Sequence, residues 1–538
     1  MVQLEPVLTA NAPTPIPTEP DIVLNPSSHG NTLTSTPNHN WAYTQTAPSA
    51  KHRIHIIACV LLVFINYLLV QFDKYVLSYF QPSIIQDLAL TAPRYALLTG
   101  YSTGVSNALL ALPLAFLSDL TSARVWILSF ASGWAGLCVL FQGLSRSYAE
   151  IYCARLGMGI GQTVVEAISV SLISDMVGWR NSFIASSVFY MGVFLGEAIS
   201  GQISSAFSHT GRSWRVALRA MGITAIVVAV ILRLVLREPK RRENLYQCSH
   251  IVVSSAKLYS DEAIPEAGSR GTQSWHLFKS TVTYLMRMHS FGMLVLSTSL
   301  RFLGAVVYGY YMPGYVASIY PEEPELLSHY GIIVGVVGCV TVVSGGLLTS
   351  YLWPRTKWTP VWLTIIGGVL SGLFVILMVF SRHLAHGDRA YGLSIFYGSM
   401  VASYITGEAW LGCMAVFVAM LLPPQTKTFG LAIWNSVQVL IYSSGPEIIG
   451  LALRDFSPGT EPYITAMRTG LATVIATAYC LGSVGLLIGL PLISKDLNGD
   501  IIQGDIRGSR KLVVLAAVSV LASIVVALFA VSIVFSAK

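Results

Sequence analysis

Charge is what this 538-residue sequence has least of: 11% of its residues are charged, against 54% hydrophobic. A soluble domain covers its surface with about 25% charged residues, so a chain solvated by water alone is excluded. The seven cysteines (59, 138, 153, 248, 339, 413 and 480) show neither paired nor metal-like spacing and fall mostly inside apolar runs. They read as small core residues and exclude a disulfide framework. A Walker-type phosphate loop is missing, which argues against pumping by ATP bound in this chain. A zinc-type His/Glu pair and a Gly-x-Ser-x-Gly elbow are missing too, so neither metal, cofactor nor enzymatic activity is expected. The first 50 residues are rich in Pro, Thr, Ser and Asn without an apolar segment. That excludes a signal peptide and reads as a disordered cytosolic tail over 1–53.

What is present is a series of apolar runs, and a mean hydropathy of +0.63. Runs near 54–72, 95–118, 124–144, 149–174, 183–206 and 215–236 precede a polar stretch, and others follow near 290–312, 329–352, 360–380, 393–421, 428–453 and 467–494. Each reaches the ~20 residues that cross a bilayer as helix. The expected architecture is an all-α membrane protein with two six-helix bundles, 54–236 and 290–494, joined by a cytosolic linker over 237–289. A further apolar run from Leu512 to Ser536, within a C-terminal stretch 495–538, reads as an extra membrane helix. In the linker, Trp275, Phe278, Val282 and Leu285 recur at helical spacing, as in a helix lying on the inner leaflet.

The formal charge of +7 is read as orientation, not as a nucleic-acid surface. Arg124, Arg355, Lys357, Lys427 and the basic linker fall on one side, while the loop with Glu322, Glu323 and Glu325 has no Lys or Arg. The bias places the N-terminus and linker in the cytosol. A monomer surrounded by membrane lipids is expected, in the plasma membrane or a late endosomal or lysosomal one.

Charges at bilayer depth cost at least ~2.5–3.5 kcal/mol on insertion scales, so each asks for a reason. Asp73 and Lys74 end the first span; Arg155, Glu166 and Asp175 lie on the fourth, Glu197 on the fifth and Arg219 on the sixth. At about 100° per residue, Gln162 and Glu166 each fall about 20° from Arg155, one polar stripe about 16 Å long. A cation, an amide and an acid in that order suit an anionic headgroup with a proton-exchanging carboxyl; a salt bridge locking helices is the competing reading. Gly157, Gly159 and Gly161 on the same helix permit close approach of a helix or ligand. Glu197 and Arg219 read as structurally paired charges. In the second half Arg301 suits a phosphate or carboxylate, held in bidentate fashion, with snorkelling from a helix end as the alternative. Glu408, Glu447, Trp410 and Tyr308, Tyr310 and Tyr311 accompany it. Asp119 with Arg124, at the cytosolic edge, suits a gate. The stretch Ala115 to Asp119 followed by Arg124 echoes Gly346 to Ser350 followed by Arg355, as repeated halves would.

Together these residues resemble the Spinster-type lysolipid and sphingolipid transporters of the major facilitator superfamily. Phe72-Asp73-Lys74-Tyr75 is similar to that family's Leu-Asp-Arg-Tyr, and Arg155 through Gly159 and Gly161 to Asp175 follows its fourth-span pattern. Trp214-Arg215-Val216-Ala217-Leu218-Arg219 resembles its Trp-Arg-Trp-Ala-Leu-Arg. Trp410 with Pro423, and Pro446 with Ile449-Gly450-Leu451, keep its later spacing, so the resemblance runs from about 60 to 494. It implies a proton-linked or facilitated carrier of single-chain lipids with a charged headgroup, with Asp73 and a fourth-span Glu handling protons. Here Gln162 stands at that Glu position, Lys74 replaces the Arg, and Leu120 breaks the basic pattern after Asp119. Glu166, one turn beyond Gln162, is the expected replacement. A carrier of small organic anions or sugar phosphates, and a receptor or scaffold that does not transport, remain the alternatives.

Overall fold

The structure is a computed structural model that describes residues 50–121, 123–177, 179–238, 270–323, 325–422, 427–457 and 459–498, with four further positions near the C-terminus. The expected tail over 1–53 lies outside the described residues except at its end. So does the helix expected over 512–536, apart from those four positions.

Among the described residues the apolar runs become long helices. They are α1 (Ala50–Tyr79), α2 (Ala92–Thr99 with Tyr101–Thr121), α3 (Arg124–Gln142), α4 (Tyr148–Gln162 with Val165–Val177), α5 (Trp179–Thr210) and α6 (Trp214–Val235). After the linker follow α7 (Phe291–Ile319), α8 (Leu326–Leu352), α9 (Thr359–Val379), α10 (Arg389–Gly407 with Leu411–Leu421), α11 (Lys427–Ala452) and α12 (Glu461–Leu497). Eleven of these are long and apolar enough to cross a membrane. The exception is α11, whose 26 residues suffice in length but whose buried face carries Asn435, Gln438, Ser443, Ser444 and Glu447.

The surface is apolar and the interior is not. Trp126, Phe130, Trp134 and Phe141 of α3 and Ile223, Val227, Val230 and Leu234 of α6 are exposed, while Arg124, Arg155 and Arg301 are among the largest fully buried side chains. That inversion fits hydrocarbon outside and a polar lining within. Cys59, Cys138, Cys339 and Cys413 are buried as expected, but Cys153 and Cys480 are exposed on the outer faces of their helices, so they are not core residues.

Helix packing repeats with a shift of six. In the first set α1 packs on α5 and α6, α3 on α4 and α6, and α2 on α4; in the second α7 packs on α11 and α12, α9 on α10 and α12, and α8 on α10. The seams between the sets obey the same shift, α5 with α8 and α11 with α2. The α4 glycines admit neighbouring helices. A Cβ on Gly159 would stand 2.7 Å from the Thr103 carbonyl of α2, and one on Gly161 2.5 Å from the Ala131 carbonyl of α3.

Both ends of the two seams are closed. At the end assigned to the cytosol, Phe116 meets Phe429 at 5.3 Å between ring centroids, and Lys427 Nζ donates to Ser174 Oγ at 2.7 Å. At the opposite end Gln202 Nε2 donates to the Ser328 carbonyl at 2.9 Å, and Gln202 Oε1 accepts from the Ser328 hydroxyl at 3.0 Å. The linker forms a helix, Arg270–Arg287, docked on protein: Phe278 lies edge-on to Phe116 at 6.0 Å, and the Tyr284 hydroxyl donates to the Leu421 carbonyl at 3.0 Å. The side chain of Trp275 lies outside the described residues.

Candidate functional site

Three adjoining cavities lie between the closed ends. The first, of about 680 Å³, is lined by Arg155, Gln162 and Glu166 of α4, Lys74 of α1 and Tyr310 of α7. The second, about 630 Å³, shares Lys74 and Glu166 with the first and adds Arg301, Glu408 and Trp410. The third, about 400 Å³, shares Glu408 with the second and adds Glu197 among tyrosines.

Helical arithmetic put Arg155, Gln162 and Glu166 on one face, and all three do line one cavity. The helix carrying them is not continuous. α4 is interrupted at Thr163 and Val164, where the Thr163 hydroxyl donates to the Ile160 carbonyl at 2.7 Å, a local bond that competes with the helical ladder. Glu166 therefore sits in the first turn of a new helical piece, where the N-terminal dipole favours an acid. α10, the counterpart of α4 six helices later, is also broken, at Glu408 to Trp410. There the Gly407 carbonyl accepts from Arg301 Nη2 at 2.6 Å. Irregular backbone at membrane depth survives where it lines a cavity or finds such partners, and both breaks meet that condition.

The charged groups differ in how completely they are bonded. Arg155 is 0% exposed, and its Nη1 reaches Gln142 Oε1 only at 3.4 Å. Its Nε and Nη2 have no hydrogen-bond partner among the described residues. Arg301 also leaves Nε and Nη1 unpartnered, but it stacks 3.8 Å above the Tyr479 ring and 5.8 Å from that of Trp410. It sits buried within α7, so the snorkelling alternative is overturned. Glu166 Oε1 accepts from the Tyr190 hydroxyl at 2.5 Å, and Lys74 Nζ lies 4.9 Å over the Tyr442 ring. Asp73 is buried with Oδ1 unpartnered; it lines none of these three cavities and acts electrostatically on Arg155.

Two expectations from sequence are corrected. Arg219 is exposed, its Nε donating to the Arg215 carbonyl of its own helix at 3.3 Å, so it does not pair inside the bundle. Glu197 is buried, faces the third cavity, and forms no salt bridge among the described residues. Arg124 binds the Asp175 carboxylate at 2.6 Å and that of Glu238 at 2.8 Å, two partners the sequence did not point to. The Asp119 side chain itself lies outside the described residues. Asp175 is 51 residues from Arg124, so only the packing of α4 on α3 could reveal the pair. Arg355, the echo of Arg124, is exposed and lies over the Tyr351 ring at 5.4 Å.

A family model described as Major Facilitator Superfamily matches residues 63–446. Protein spinster of Drosophila melanogaster is 24% identical over 246 residues, which are 43% of this chain and 36% of the relative. The sphingosine-1-phosphate transporter SPNS2 of Danio rerio is 25% identical over 109 residues, 20% of this chain and 22% of the relative. The probable L-galactonate transporter of Escherichia coli (strain K12) is 24% identical over 304 residues, 56% of this chain and 62% of the relative. The chain thus spans less than two thirds of each of these relatives. Among solved structures, a bacterial homolog to the human lysosomal transporter Spinster, inward-facing and unoccupied, superposes with a TM-score of 0.56 at 18% identity over 84% of this chain and 99% of that one. A D-xylose-proton symporter gives 0.58 at 16% identity over 83% and 100%. These likenesses establish the fold that the repeated helix packing describes. With the match running over most of the chain, this protein belongs to the Major Facilitator Superfamily, as a multi-pass membrane protein helical in its described spans, with Spinster proteins among its relatives.

Proposed function

We propose that the chain transports an amphipathic anion, such as a lysophospholipid or a sphingoid phosphate, by alternating access. The observation that supports this most is Arg155: a fully buried cation with two unpartnered nitrogens on a cavity it shares with Lys74. A buried charge with unfilled donors is unfavourable, and an anionic headgroup would supply the missing bonds. Arg301 and Trp410 in the adjoining cavity extend the same surface. On this reading the halves 54–236 and 290–494, joined by the linker over 237–289, rock so that one closed end opens at a time. Arg124, with Asp119 beside the same edge, belongs to the cytosolic gate. The similarity to SPNS2, named for sphingosine-1-phosphate, favours a lipid over a sugar phosphate. The membrane that houses it is the plasma membrane or a late endosomal or lysosomal one.

Proton linkage is assigned to Glu166, with Asp73 and Gln162 in the positions the family resemblance marks. Glu166 lines two of the three cavities, so its charge reaches a headgroup in either. Uptake of a lysolipid panel into vesicles with an imposed pH gradient tests both parts. The parent is expected to take up phosphate-bearing lysolipids faster with the gradient than without it, and Glu166→Gln to lose that difference. Equal gradient dependence in variant and parent rejects the proton role.

A second reading, a small organic anion, draws on the match to the probable L-galactonate transporter, which covers more of this chain than the two Spinster matches. Competition decides between them. Lysolipid uptake blocked by sugar acids but not by short-chain alkyl phosphates would favour the smaller substrate.

A further inference from the structure

Glu197 has no role in the site as described so far, yet its surroundings are specific. It lies on α5, 4% exposed, with Oε1 outside good hydrogen-bond geometry to any donor among the described residues and the Tyr79 hydroxyl the group nearest to bonding it. It faces the third cavity together with Glu408, and the walls between them are the rings of Tyr75, Tyr308, Tyr404 and Tyr479. The rings are set at angles to one another. Tyr308 and Tyr404 are edge-on, with centroids 5.8 Å apart, and Tyr308 lies parallel to Tyr330 at 6.5 Å. Two carboxyls within aromatic walls form a surface of one electrostatic sign, since ring faces carry negative charge.

The two acids are not equivalent. Glu408 also faces the second cavity, beside Arg301, so a cation of the protein is already at hand. Neither acid forms a salt bridge among the described residues; Lys74, which lines the first two cavities but not the third, acts on Glu197 only at longer range. A buried carboxyl lining an aromatic-walled cavity, with no cation in direct contact, has room for one that the rings also attract. An organic ammonium is that cation. Its charge suits the carboxylate, and its alkyl substituents suit the ring faces.

We infer that the third cavity is an ammonium subsite, with Glu197 as its anchor and the tyrosines as its cage. The inference rests on the anion reading of Arg155 and narrows it, because the second cavity joins the two ends. The preferred substrate is then a zwitterion whose phosphate or carboxylate meets Arg155 and whose ammonium meets Glu197.

Three short-chain probes separate the two ends: octyl phosphate carries only the anion, octyltrimethylammonium only the cation, and octylphosphocholine both. Equilibrium binding to the full chain in lipid nanodiscs, by calorimetry, is compared between the parent and Glu197→Gln. The variant should bind octyltrimethylammonium and octylphosphocholine about 10-fold more weakly and octyl phosphate within about two-fold of the parent. Glu197→Asp should restore part of the loss. Tyr404→Leu, which removes one wall and no charge, should weaken only the two ammonium probes, and it keeps the test decisive if Glu197→Gln does not fold. A parent that binds no octyltrimethylammonium, or variants that lose all three probes alike, would overturn the subsite. Failure of octyl phosphate alone would instead strike the anion reading.

Discussion

The cytosolic edge and the centre of the protein each hold a fully buried arginine, and the two are bonded in opposite ways. Arg124 is 1% exposed and Arg155 0%, so burial does not separate them. Arg124 gives its Nη1 to Asp175 at 2.6 Å and to Ser171 at 3.0 Å, and its Nε to Glu238 at 2.8 Å. Arg155 has one long hydrogen bond, to Gln142 at 3.4 Å, and looser interactions with Tyr310 and Asp73. A guanidinium whose donors are occupied by carboxylates holds structure together. One with donors left over, facing a cavity, is available to a ligand. Arg301 stands between them, with one short bond to the Gly407 carbonyl and a stacked ring.

That comparison gives graded expectations. Arg124→Gln should have the largest effect on stability, about 3–5 kcal/mol, because Asp175 is left buried without its counter-charge. Its thermal unfolding temperature should fall sharply, while octyl phosphate affinity of the folded fraction stays within about two-fold. Arg155→Gln should do the reverse. Losing two charge-assisted bonds to the ligand, about 1.5 kcal/mol or more each, weakens octyl phosphate binding about 100-fold. Its unfolding temperature should stay near that of the parent. Equal behaviour of the two variants in both assays would erase the distinction. Arg301→Gln is expected to fall between them, about 10-fold in affinity with a modest loss of stability. Arg301→Lys should not rescue it, since an ammonium does not reproduce the planar stack. Smallest of all, Lys427→Met removes one bond to Ser174 across the cytosolic closure, worth about 1 kcal/mol. Faster labelling of a cysteine introduced below the cavity, by a membrane-impermeant thiol reagent, would report the loosened gate.

The spans were legible because a bilayer imposes a minimum length of apolar helix, and even α11, too polar to qualify by composition, was marked by its length. The stripe on α4 was legible because 3.6-residue periodicity fixes which side chains share a face, and Arg155, Gln162 and Glu166 do share a cavity. The break between Gln162 and Glu166 was not. Neither Pro nor Gly stands at Thr163 or Val164 to mark it, and the Thr163 hydroxyl bond to the Ile160 carbonyl is of a kind that continuous helices here also contain. Arg124 was assigned to the right end with an incomplete partner list, since sequence proximity pointed to Asp119 while Asp175 arrives through tertiary packing. Glu197 and Arg219 looked alike as single charges in apolar runs. Helix orientation separates them, turning one into a cavity and the other outward.

The most direct test of the central claim is exchange of radiolabelled lysophosphatidate across proteoliposomes holding the parent or Arg155→Gln. The parent should exchange label well above protein-free vesicles, and the folded variant should fall to their level. Binding by the parent without exchange, or undiminished exchange in the variant, would contradict the assignment of Arg155 as the group that carries the anion.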